Sequence, residues 1–154
     1  VEIVEALEEL ARTLGDIKRQ EEWYCEIFEK AVESMKSKWE ELARKYGLTD
    51  VHVRVEVEST EPQSRVWLSF SDSSLNVYVD YNLEELEEVG HSIGSRSVRF
   101  RKLYAFAINY DKLVEAIRSK ASELRRNWPE VSKALDEFAE KVTPLVVERE
   151  LERS

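Results

Sequence analysis

Apolar residues recur at alternating intervals of four and three through both ends of the chain, a repeat that fits a helix with one apolar stripe and excludes a strand. The first run is Ile3, Leu7, Leu10, Leu14, Ile17, Tyr24, Phe28, Ala31, Met35 and Leu42, with Glu21 and Lys38 at its polar positions. Gly15 and Asp16 fall inside it without shifting the register, which predicts a kinked or nearly continuous helix over residues 1–47. Trp23, Ile27, Val32 and Trp39 widen the stripe, so this face is expected to meet more than one neighbour. The second run is Tyr110, Val114, Ile117, Ala121, Leu124, Trp128, Val131, Leu135, Phe138, Val142 and Leu145, predicting a helix over 110–153 capped by Asn109 or Asp111. Pro129 beside a fresh cap-like Asn127 and Glu130 predicts a kink or break near 127–129, and Pro144 restarts or ends the helix.

Between the helical ends the period drops to two. Val51, Val53, Val55 and Val57 alternate with His52, Arg54, Glu56 and Glu58, as in a strand with one buried face. A turn at Glu61 and Pro62 precedes a second strand with Val66, Leu68 and Phe70. Ser71 to Ser74 then make a hairpin turn into a third, with Leu75, Val77, Val79 and Tyr81. Asn82 with Glu85 resembles a capping box and starts a short helix over 83–89, closed by Gly90. Val98, Phe100, Tyr104, Phe106 and Ile108 suggest a fourth strand, making 51–108 mainly β. The expected fold is therefore α+β: an antiparallel sheet of three or four strands bracketed by long heptad-patterned helices, in one domain spanning 1–154.

Composition narrows the function classes. A net charge of −9 disfavours non-specific binding to nucleic acid or anionic lipid. The single cysteine, Cys25, makes no internal disulfide, and the lack of a leader or of a long apolar run suggests a cytoplasmic protein. Abundant Glu, Lys and Arg with few Gln and one Met give a thermophile-like composition, which good helix formers also produce. Two histidines and one cysteine on separate elements give no metal-ligand spacing, and no cofactor motif is present.

Three features invite a functional reading. Gly90-His91-Ser92-Ile93-Gly94 matches the G-x-S-x-G serine-hydrolase elbow, but that elbow needs a strand before it and a helix after it, the reverse of the order expected here. The bland reading is a glycine-flexed connection. Arg96, Arg99, Arg101 and Lys102 form a basic island among residues 91–109, which hold no acidic residue. On a strand, Arg99 and Arg101 would share a face with Ser97 and Leu103. They could bind phosphate, nucleic acid or an acidic partner, or pair internally with Glu56, Glu58 or the acidic helix Glu84 to Glu88. Trp67 is out of phase with the buried side of its strand, and if exposed would mark a contact surface.

The order helix, β-region, helix resembles the prefoldin chaperone subunits, whose end helices pair as coiled coils around strands used for assembly. The glycine-rich strand signature of that family is missing and the β-region is longer, so no residue roles carry over. The preferred expectation is a non-enzymatic structural or protein-interaction module that self-associates through apolar helix faces, most simply as a homodimer.

Overall fold

A computed structural model describes residues 1–153. Its elements are α1 (Glu2–Lys45), β1 (His52–Thr60), β2 (Gln63–Ser71), β3 (Leu75–Tyr81), α2 (Leu83–Ile93) and α3 (Val98–Arg153). The chain divides into two compact units, Val1–Ala116 and a second that begins at Ile117. The architecture is α+β, with one antiparallel three-stranded sheet in the order β1-β2-β3 flanked in sequence by two long helices.

In the first unit the period-two segment folds as its pattern requires. Val55, Val66, Leu68 and Leu75 are buried on one sheet face, while His52, Arg54, Glu56 and Glu58 stay exposed on the other. Cross-strand register places Val55 against Leu68 and Leu68 against Val77. Phe28, Met35 and Trp39 of α1 and Phe106, Leu113 and Ala116 of α3 pack on that valine face. Each fully buried large apolar side chain contributes about 1.5–3 kcal/mol. Trp39 also donates its indole N–H to the Ser71 carbonyl at 2.8 Å, fixing α1 against the β2–β3 turn.

Helix α1 is continuous across Gly15 and ends in a Schellman cap, with Gly47 left-handed at φ +62° and the Leu48 N–H donating to the Ala43 carbonyl. Asn82 caps α2, accepting from the Glu85 N–H at 3.1 Å. Reciprocity goes elsewhere than in a capping box: the Glu85 carboxylate accepts from the Gln63 N–H, which ties α2 to the β1–β2 hairpin.

Four expectations are corrected. The fourth strand does not form, because 98–108 is the first part of α3, begun by Ser97, whose hydroxyl accepts from the Phe100 N–H at 3.2 Å. A run with Arg99, Arg101, Lys102, Leu103, Ala105 and Ala107 has higher helix than strand propensity, and helical spacing buries Phe106, Asn109 and Leu113 together. Asn109 is therefore an interior helical residue and not a cap. Finally, α2 runs to Ile93 instead of 89, and α3 continues through both Pro129 and Pro144 without a break. Each proline deprives one carbonyl four residues earlier of its partner. These helix positions are exposed, so water can take the place of the missing N–H.

Candidate functional site

The G-x-S-x-G segment is the last turn of α2 and its cap. Gly90 lies so close to the Ser95 backbone that a Cβ there would stand 2.6 Å from the Ser95 carbonyl oxygen. Gly94 has φ +75°, and the Ser95 N–H donates to the Gly90 carbonyl at 2.8 Å, closing a Schellman motif. Ser92 donates its hydroxyl back to the Val89 carbonyl at 2.6 Å. Both glycines and the serine thus have local structural reasons, and a helix stands where the hydrolase elbow places a strand.

The basic island is dispersed by the helix that carries it. Two residues apart on a helix, Arg99 and Arg101 point in nearly opposite directions instead of sharing a face. Arg99 grips Glu29 of α1 with two bonds, Nε to Oε1 at 2.8 Å and Nη2 to Oε2 at 3.0 Å. Its hydrogen bond holds the Glu29 carboxyl below the ordinary carboxylate range. Arg101 turns to α2, with Nη1 3.3 Å from Glu87 and its side chain largely buried. Internal pairing with the acidic helix is therefore present for Arg101, whereas Glu56 pairs with Arg54 and Arg65 on its own sheet.

Two concavities receive what remains. A cleft of about 430 Å³ between α2 and the start of α3 is lined by His91, Ser95, Arg96, Ser97 and Arg101. The Arg101 Nε at its wall is buried and has no hydrogen-bond partner among the described residues. Lys102 lies instead on a shallower groove of about 610 Å³ with Trp67, Tyr78, Phe28, Val32 and Val77. The four basic residues and Trp67 do not form one site.

Trp67 stands on the open sheet face. Its ring stacks on Tyr78 with centroids 5.2 Å apart, and the guanidiniums of Arg65 and Arg54 lie 4.6 and 5.3 Å from it. Glu56 is 3.1 Å from Arg65 and 3.6 Å from Arg54, and Arg65 also reaches Asp80 at 3.7 Å. Such half-exposed pairs contribute up to about 1 kcal/mol each, the same order as the aromatic stack. Cys25 is buried in α1, and burial pushes its thiol up, the opposite of an activated nucleophile.

The apolar helix stripes legible in the sequence are partly exposed in both units. Ile3, Leu7, Leu10 and Leu14 of α1 are 41–63% exposed. In the second unit, Ile117, Leu124, Trp128, Val131, Leu135, Phe138 and Leu145 are 37–66% exposed along one stripe of α3. Among the described residues no His/Cys/Asp/Glu cluster could hold a metal, and no helix is long and apolar enough to cross a membrane. No family model matches this chain, and neither a curated protein nor a solved structure matches it.

Proposed function

We propose that this chain is a non-enzymatic interaction module that self-associates by burying its exposed helix stripes, most simply as a homodimer. One observation carries the reading: the four-three stripe from Ile117 to Leu145 leaves seven large apolar side chains, Trp128 and Phe138 among them, more than a third exposed. Isolated exposed leucines are ordinary, but a contiguous apolar stripe of this length marks an interaction surface. Burial of even four such side chains supplies several kcal/mol toward association. Light scattering after size exclusion at low and high salt tests it. The expected result is an oligomer indifferent to salt, weakened by Leu124→Glu with Leu135→Glu. A wild-type monomer at about 100 μM, where a contact worth more than about 5 kcal/mol would populate the oligomer, sinks the reading.

The cleft beside Ser97 supports a second reading, a binder of a phosphate-bearing ligand. Arg96, the unpartnered Nε–H of Arg101 and the first turn of α3 supply positive charge and N–H donors of the kind phosphate takes, although Glu87, paired with Arg101, lines the same cleft. Titration with a nucleotide should then lose at least tenfold in affinity on Arg96→Ala. An unchanged affinity removes it.

A further inference from the structure

We infer that the outer edge of β1 pairs antiparallel with β1 of a second copy about a twofold axis at Val55, joining two three-stranded sheets into one of six strands. This surface is separate from the helix stripes, so the inference goes beyond the helix-face reading and does not depend on it.

Strand order makes β1 an edge. Which of its residues turn their backbone groups outward follows from the hairpin register and two contacts. Gln63 opposes Thr60, yet its N–H goes to Glu85 and its carbonyl accepts from the Asn82 N–H, so the pairing toward β2 starts at Ser59 with Ser64 and recurs at Val57, Val55 and Val53. The outward groups then belong to His52, Arg54, Glu56 and Glu58. Lys112 agrees with this assignment, since its ammonium sits 3.1 Å from the Glu58 carbonyl at the open edge. His52, Arg54 and Glu56 are exposed, and their outward N–H and C=O groups form a template for another strand.

The side chains of that edge select one occupant and one register. In an antiparallel pair, outward residues oppose outward residues. Centred on Val55, Arg54 faces Glu56 of the second copy, His52 faces Glu58, and Val53 faces Val57. Slipping the register by one step sets Arg54 against Arg54 in one direction and Glu56 against Glu56 in the other. Only the Val55-centred register sets opposite signs together and avoids like charges, which destabilise directly opposed positions. It also continues the valine face across the axis, covering Val53 and Val57, which are only half-buried at the edge. Charged edges commonly repel other strands, but this edge alternates sign in the order that makes it complementary to itself. A second copy of this chain is therefore the partner that fits, and Lys112 needs only to swing away from one carbonyl or share it.

Charge exchange tests the pairing. Arg54→Glu puts glutamates opposite one another at both symmetry-related rungs, and Glu56→Arg does the same with arginines. Placed in a chain that also carries Leu124→Glu with Leu135→Glu, where only the β1 edge can hold two copies, each variant alone should dimerise about tenfold or more weakly than that parent, by light scattering over a concentration series. An equimolar mixture of the two variants sets a glutamate of one chain opposite an arginine of the other at both rungs and should restore dimerisation as a heterodimer. Both positions are exposed, and circular dichroism checks that each variant keeps its fold. In wild type, protection of the Arg54 and Glu56 amides from hydrogen exchange should rise with protein concentration. Charge variants that dimerise like their Leu124→Glu, Leu135→Glu parent, a mixture no tighter than its components, or edge amides indifferent to concentration each overturn the inference. Association that responds to Leu124→Glu with Leu135→Glu but not to these charge changes leaves the helix-face reading standing and removes this one. The converse pattern separates them the other way.

Discussion

Asn109 is fully buried in α3, and every polar atom of its side chain is engaged. Nδ2 donates to the Ser64 hydroxyl at 2.9 Å and to the Ala105 carbonyl at 2.7 Å, and Oδ1 accepts from the Ser59 hydroxyl at 2.8 Å. It therefore locks the β1–β2 hairpin to α3. Asn109→Ala should cost about 2–4 kcal/mol in urea denaturation, because it opens a cavity and strands the buried Ser64 hydroxyl. A cost below about 0.5 kcal/mol would show that the network contributes little. Asp72 acts at the surface by a different route. Its carboxylate accepts from the Val51 N–H at 2.7 Å and the Asp50 N–H at 2.9 Å, and these bonds hold its carboxyl below the ordinary aspartate range. A depressed folded value means its stabilisation is complete above the usual aspartate value and is lost as pH falls through the lowered one. The stability gap between wild type and Asp72→Ala should accordingly be full at neutral pH and narrow in acid, and a gap constant with pH would contradict this. At this scale the weakest signal was the elbow match at Gly90 and Gly94, which the order of elements already argued against. A three-residue signature cannot distinguish a glycine kept for close backbone approach from one kept for a catalytic turn.

Helix α3 shows why patterns identify elements better than faces. The four-three stripe through Tyr110, Val114 and Ile117 is real, but the sheet is met by a neighbouring stripe, Phe106, Asn109, Leu113 and Ala116. That stripe was hidden in the sequence because its central member is an asparagine and its last an alanine. The same masking made 98–108 read as a strand, since Val98, Phe100, Tyr104, Phe106 and Ile108 satisfy period two while Phe106, Asn109 and Leu113 satisfy a helix only once Asn109 counts as core. Strands β1 to β3 were legible because each alternates cleanly and one face is solvated. Dispersal of the basic island follows from the same error, as a strand would have aligned what a helix separates. The prolines of α3 test the element directly. Pro129 lies within a continuous helix, where a proline costs about 3 kcal/mol relative to alanine. Pro129→Ala should raise the helical signal and the thermal midpoint of the transition that includes α3, and a lower midpoint would mean that a proline-shaped bend is needed by whatever the stripe packs against.

For the whole molecule, the two proposed self-association surfaces act together. If the helix stripes and the β1 edge each pair about their own twofold axis, the two operations either close into a dihedral tetramer or run on as an open chain. The paired charges of the β1 edge fix a single register, while the angle between the two axes decides between closure and continued growth. Either outcome predicts an assembly larger than two chains of 18.1 kDa at high concentration. Leu124→Glu with Leu135→Glu should leave a dimer held by β1, whereas Arg54→Glu should leave a dimer held by helix faces. All three substitutions together should give a monomer. Salt should discriminate the two dimers, because apolar burial is nearly indifferent to ionic strength while the exposed Arg54 and Glu56 rungs are screened over about 10 Å at 0.1 M. A β1-held dimer that tightens with salt would contradict the charge-selected register. A helix-held dimer that dissolves in salt would mean that the flanking charges, and not the stripe from Ile117 to Leu145, hold it together.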